Sequence, residues 1–185
     1  MKLLRLVAPV LLFVSSSVFA GGSLDLSINN ESAGIEYDAT QMGSPLHISA
    51  GAWHDEDDKD LFNLGLNVVD VRSKASPIKI GIGGKLIAYF AGDEEGAGLA
   101  IGGFARYAPA SLNGFGLSGH VYYSPSVLSF DKTENITDLG AKVEYKILPT
   151  AAVYLGFRFV EASEENVSKD IEVARDGHFG LRINF

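Results

Sequence analysis

Two short segments combine residue types that could do chemistry. His47 and Ser49 lie two residues apart, so an extended strand would place both side chains on one face. A base beside a hydroxyl is what a hydrolase needs, but the sequence offers no acidic residue that would clearly orient His47. We therefore favour two ordinary strand residues over a catalytic pair.

The second segment, residues 54–60, is rich in carboxylates. Several carboxylate oxygens together suit a hard cation such as calcium. The segment lacks the glycine of an EF-hand loop, and a solvated loop is the favoured interpretation.

A third group of polar residues alternates with apolar ones along several segments. Its members are Lys79, Lys85, Arg106, Lys142, Glu144, Arg158 and Arg182. Asp25, Glu36 and Asp38 belong to the same pattern. Mixed signs on one face favour ion-paired packing, with an ion-selective pore lining as the alternative.

The elements that carry these residues read as β-strands, because apolar and polar side chains alternate with a period of two. The last strand is the clearest, with Phe179, Leu181, Ile183 and Phe185 on one face. In all we predict ten strands, or eight if the weakly patterned early ones merge. The fold class is all-β, and the architecture is an antiparallel transmembrane barrel.

Residues 1–20 have the layout of a secretory signal peptide, with Lys2 and Arg5 before an apolar stretch and Ala20 at the cleavage site. Residues 21–185 then form one barrel domain. The formal net charge of −8 argues against nucleic-acid binding. The absence of cysteine excludes disulfides, thiolate metal sites and a cysteine nucleophile.

Strand length and connections favour a membrane barrel over a soluble one. Most segments reach the roughly 9–11 residues that span a bilayer as a tilted strand. Every second connection is acidic and, apart from the short turn at residues 30–32, longer, whereas the others are short and neutral or basic. Short turns at the periplasm and longer loops outside would produce this asymmetry, with both termini periplasmic.

Aromatic residues fall near both ends of the apolar rows. Two such belts are typical of the membrane interfaces of a barrel. The predicted interface aromatics are Phe62, Phe90, Tyr107, Phe115, Tyr123, Tyr145, Phe159 and Phe185.

Residues 121–130, 141–149, 152–158 and 178–185 resemble the YfaZ family of outer-membrane proteins. The resemblance is good over the C-terminal half and looser elsewhere. The resemblance implies an outer-membrane barrel and identifies no catalytic residues in this chain.

The sequence thus predicts a non-enzymatic protein of the Gram-negative outer membrane, either structural or a narrow pore. The alternatives are an outer-leaflet lipid-modifying enzyme and a soluble periplasmic ligand-binding barrel. We expect no catalytic, cofactor or metal site and no nucleic-acid partner. The expected partners are outer-membrane lipid, lipopolysaccharide and the barrel-assembly machinery, which would read the C-terminal strand of a monomer.

Overall fold

The computed structural model describes residues 19–41, 44–70, 76–92, 94–130, 132–164 and 171–185. Most of these residues lie in strands. The bounds are β1 (Phe19–Ile28), β2 (Ser32–Gln41), β3 (Leu46–Asp55), β4 (Lys59–Val69), β5 (Ile78–Ala91), β6 (Glu94–Tyr107), β7 (Phe115–Ser124), β8 (Ser129–Phe130), β9 (Thr133–Leu148), β10 (Ala151–Glu164) and β11 (Ile171–Asn184). Within the described ranges, no helix is both long and apolar enough to cross a membrane.

The sheet closes on itself. Neighbouring strands pair antiparallel along the chain, and β1 pairs with β11 from Ser23 opposite Asn184 to Ile28 opposite Phe179. Because β8 is only two residues long, the wall is a barrel of ten strands. The predicted all-β barrel and its ten strands are confirmed, and the alternative of eight is wrong because the weakly patterned β3 is a full strand of ten residues.

Strand β8 continues β7 beside β6. Tyr123 of β7 lies opposite Ile101 and Phe130 of β8 lies opposite Ala97, so three extra residues separate the two pieces. These residues form the single-turn 3-10 helix Ser126–Leu128, held by the Ser124 and Ser129 hydroxyls. The predicted long connection after β7 is therefore an interrupted strand.

The two faces of the wall are opposite to those of a soluble barrel. Outward side chains are large and apolar, and Leu155 is 66% exposed and Ile82 is 69% exposed. Polar and charged side chains such as Asp25, Lys85 and Glu144 point inward and are buried. A lipid-facing exterior requires this arrangement.

We call the end that holds Gly22 and Phe185 the terminal end, since Gly22 and Phe185 exchange backbone hydrogen bonds there. The opposite end, with the β3–β4 turn, is the loop end. The predicted acidic loop at residues 54–60 is a shorter turn than expected, because Asp55 already pairs with Lys59. Asp58 adopts a left-handed φ of 56°, and the Asp57 backbone N–H donates to the Asp55 carboxylate over 3.0 Å.

Other acidic residues of the predicted connections also belong to strands, since β6 begins at Glu94 and β10 ends at Glu164. Residues 93, 131 and 165–170 of these connections lie outside the described residues. So do residues 1–18 of the predicted signal peptide, and cleavage after Ala20 stays a prediction.

The predicted interface aromatics face outward. Phe62 and Phe90 pack edge to face with ring centroids 6.2 Å apart near the loop end. Phe115 and Tyr145 lie 4.8 Å apart near the terminal end. Phe185 stacks on Tyr37, an outward aromatic residue that is not among the predicted interface aromatics. The positions suit two belts, and their role at the interfaces stays a prediction.

Candidate functional site in the barrel lumen

The loop half of the lumen is filled with apolar side chains, which we call the plug. Leu61, Ile87, Ile136 and Val160 have no solvent exposure. They project inward from four different strands, so the cluster reaches across the barrel. The full plug is Trp53, Leu61, Ile87, Tyr89, Ala100, Tyr122, Ile136, Val160, Ala162, Ile171, Val173 and Ala174.

The terminal half contains a cavity of about 150 Å³, which we call the chamber. Its lining is polar and carries both signs of charge. Tyr122 of the plug forms part of its boundary and donates a hydrogen bond to the Asn67 side chain over 2.8 Å. The residues that carry charge or a titratable ring in the lining are Asp25, Glu36, Asp38, Lys79, Lys85, Arg106, His120, Lys142 and Arg182.

A chain of ion pairs crosses one side of the chamber. Arg182 binds Asp25 through two hydrogen bonds of 2.9 and 3.1 Å and also reaches Glu144 at 2.8 Å. Arg106 donates to the other oxygen of Glu144 at 2.9 and 2.6 Å, and Lys142 reaches Asp25 at 3.1 Å. Such bidentate charged pairs fix side-chain positions, so this network ties β1, β6, β9 and β11 together from inside.

A second network lies between chamber and plug. Asp138 is fully buried, and its carboxylate receives Lys85 at 3.1 Å, Arg158 at 3.3 Å and His120 at 3.1 Å. Lys85 lies over the ring of Tyr122, 4.3 Å from its centroid. Asp138 thus anchors three cation-forming side chains at the boundary between the two halves.

All seven predicted lumen charges point inward, and six of them join these two networks. The exception is Lys79, near the start of β5, which has no salt bridge among the described residues. Whether any of them lines a pore stays a prediction. The prediction missed Asp138 because it began that strand at Leu139, although the period of two from Lys142 places Asp138 on the same face.

His47 has an acidic partner that the sequence did not reveal. Its Nδ1 lies 2.7 Å from the Asp38 carboxylate on the neighbouring strand. The expectation that no acid orients His47 was wrong, because β2–β3 pairing brings residues nine positions apart into contact. His47 is 4% exposed and Ser49 is 5% exposed. Both side chains are thus shielded from any substrate in the outer leaflet.

The acidic residues of the loop end make no metal centre in the described part of the chain, where no three His, Asp or Glu side chains lie close enough to hold an ion. His54 pairs with Asp60 at 2.8 Å on the exposed surface. His54 and Asp60 therefore belong to a solvated turn.

A closed antiparallel barrel with an apolar exterior and a buried, charged interior is an outer-membrane β-barrel protein. Residues 1–185 match the family profile described as YfaZ precursor. The chain belongs to the YfaZ family, which confirms the resemblance seen in the sequence, and the protein resides in the Gram-negative outer membrane.

One relative and one solved structure can be compared directly. Outer membrane protein YfaZ of Escherichia coli (strain K12) is 28% identical over 181 residues, which is 95% of this chain and 94% of that protein. A solved structure, the KdgM porin, has a TM-score of 0.47 and 9% identity, and the alignment covers 89% of this chain and 98% of that one.

Proposed function

We propose that this protein is a non-enzymatic outer-membrane barrel with a closed lumen, and that its terminal end faces the periplasm. The observation that carries the proposal is the plug. Side chains with no exposure, such as Leu61 and Ile136, occupy the space through which a solute would have to pass. Close-packed side chains leave few voids larger than a water molecule, so an ion has no hydrated path.

The alternative of a narrow pore has support from the chamber, because charged side chains of both signs line it on one side. A pore would require the plug to move. The enzymatic alternative would need the Asp38–His47 pair to activate a nucleophile, but the His47 and Ser49 side chains are almost fully buried. A lipid substrate cannot reach such groups without opening the wall.

Planar-bilayer conductance tests the proposal. The wild-type barrel should give no stepwise current, whereas a variant with Ile87→Ala, Tyr89→Ala and Ile136→Ala should conduct, because it removes side chains from the plug. The matched control replaces Leu86 and Phe90, the outward neighbours on β5, by alanine and should stay silent. Stepwise ion current through the wild-type barrel would overturn the closed lumen.

The apolar exterior, the acidic turns and the C-terminal strand each support one proposed partner. The apolar exterior contacts outer-membrane lipid, and the acidic turns meet lipopolysaccharide through its bridging cations. The barrel acts as a monomer, and the assembly machinery reads the C-terminal strand that ends at Phe185. Deletion of Phe185 should reduce assembly in cells more than refolding into detergent, as judged by heat-modifiable migration on a gel. Equal losses in both settings would refute recognition of that strand.

A further inference from the structure

The apolar plug is uneven around the barrel. On β5, two successive inward positions are apolar, Ile87 and Tyr89, and both are fully buried. In the described part of the chain, no plug residue lies on β1 or β2. At the level of Trp53 these two strands turn Ser27 and Gly34 inward, which lie opposite each other in the register. The plug is therefore thinnest beside β1 and β2.

The indole of Trp53 covers this thin side. Trp53 lies opposite Gly34 on the paired strand, and a Cβ added to Gly34 would overlap the indole ring. The ring also meets His178 edge to face, with the two ring centroids 5.3 Å apart. Because glycine at position 34 leaves room for the ring, Trp53 fills the space that β1 and β2 do not fill themselves.

Polar groups lie on both sides of the Trp53 ring. On the terminal side, a second cavity of about 30 Å³ is lined by the ring and by Asp25 and Glu36, which also line the chamber. A cavity of this volume with polar groups in its wall is large enough for a water molecule. On the loop side, the next inward positions of β2 and β3 are Ser32 and Asp55, which lie opposite each other. On this side of the barrel, the ring thus lies between two polar regions.

No hydrogen bond holds the indole in place. Among the described residues, the Nε1 atom of Trp53, the Nδ1 atom of His178 and the Oγ atom of Ser32 are buried without a hydrogen-bond partner. Buried polar groups without partners are unfavourable, and contact with water satisfies them. Displacement of the ring would let water reach these atoms, so the ring is the part of the plug that moves most easily.

We infer that Trp53 is the gate of the lumen, and that displacement of its indole opens a narrow path for water and small ions along the inner faces of β1 and β2. This inference rests on the proposed function, because a lumen that is already open needs no gate. It adds that the closed barrel has one place of opening. The rest of the plug stays packed when this ring moves.

Planar-bilayer conductance of single variants tests the gate. Trp53→Ala should give stepwise current where the wild-type barrel gives none, because it leaves an empty space opposite Gly34. The matched control is Tyr89→Ala, which removes an aromatic plug side chain from the far wall. The control should be silent, because Ile87 still fills the lumen at the next inward position. Heat-modifiable migration on a gel shows whether each variant is folded.

An exchange of side-chain size tests the same contact from the other strand. Gly34→Leu, added to the Trp53→Ala protein, places an apolar side chain where the ring was and should abolish the current. Gly84→Leu in the same Trp53→Ala protein is the control. Gly84 lies opposite the outward Leu66, so a leucine there should leave the current unchanged.

The gate can also be followed in the wild-type protein, because Trp53 is the sole tryptophan of the chain. Iodide added to barrels in vesicles should quench the tryptophan fluorescence weakly in buffer. In urea below the global unfolding transition, quenching should rise while the barrel stays folded on the gel. Local opening costs less free energy than global unfolding, and the gate is the part of the plug that opens locally.

Four results would overturn the inference: silent Trp53→Ala barrels, an equal current through Tyr89→Ala, a current that survives Gly34→Leu, or quenching that rises only when the whole barrel unfolds. A silent Trp53→Ala protein refutes the gate and leaves the closed lumen intact. Current through the wild-type barrel in buffer refutes the closed lumen itself.

Discussion

The two halves of the lumen differ in chemistry although the same strands build both. Towards the loop end, inward positions carry side chains such as Leu61, Ile87 and Val160, which pack without exposure. Towards the terminal end, inward positions carry charges that pair with one another, such as Arg182 with Asp25 on the adjacent strand. The wall is continuous, so the inward side chains alone decide where the barrel is filled.

If the plug closes the lumen as proposed, a charged lumen does not by itself make a pore. A water path must cross the whole membrane, and an apolar segment blocks it wherever packing is complete. In the proposed closed barrel the charges contribute rigidity, because each network joins strands that are distant in sequence. Asp138 lies at the junction and belongs to neither half alone.

The largest expected effect comes from removing that junction. Asp138→Ala leaves Lys85 and Arg158 buried without their carboxylate, and loss of one partner from a buried charge pair costs about 3–5 kcal/mol. Urea unfolding of the barrel in lipid vesicles would measure the loss. Glu134→Ala, an exposed acid on the same strand, is the control and should change little. Equal stability of the two variants would mean that Asp138 does not hold the halves together.

A smaller effect is expected from adding one positive charge, and its folding cost should differ between the exterior and the chamber. Leu155→Arg places a charge on the lipid face, which costs about 2–4 kcal/mol near the membrane centre. Ser23→Arg places the same charge in the chamber lining, where Asp38 is the paired residue on β2, and should cost less. Vesicle folding yields would compare them, and similar losses from both would contradict the assignment of the two faces.

The smallest effect probes packing inside the plug. Ile136→Val removes one buried methylene, and such changes cost about 0.5–1.5 kcal/mol. Ile147→Val makes the same change on the exterior, where Ile147 is 49% exposed, and should be near neutral. The same urea titrations would distinguish them. A plug that tolerates the change as easily as the exterior would be loosely packed and able to open.

Most of the wall could be predicted from the sequence, because a period of two and strand length are local properties. The charges at Lys142, Glu144 and Arg158 followed from that period, and their inward direction is as expected. The partners did not follow, since the contact of Lys142 with Asp25 joins residues at opposite ends of the chain. Register and closure decide such pairs, and a sequence pattern does not contain them.

The plug was missed for a different reason. A polar lumen was expected along the whole strand, so inward apolar residues near the loop end went unnoticed. The signal was present in adjacent apolar residues, Leu61 with Phe62, Tyr89 with Phe90 and Phe159 with Val160. In a strand, neighbouring side chains point to opposite faces. Such pairs therefore indicate that both faces of the wall are apolar near the loop end.

Side-specific labelling tests the closed lumen most directly, since the chain has no cysteine of its own. Single variants Ser23→Cys in the chamber and Asp57→Cys in the exposed β3–β4 turn at the loop end are placed in liposomes, and a small, permanently charged thiol reagent is added outside only. The labelled fraction of Asp57→Cys reports how many barrels have the loop end outward.

A closed barrel exposes the chamber only through the terminal end. The account therefore predicts that Ser23→Cys is labelled in the complementary fraction, namely the barrels whose terminal end faces outward. Labelling of Ser23→Cys in nearly all barrels, whatever their orientation, would show a continuous path through the plug and would contradict the account.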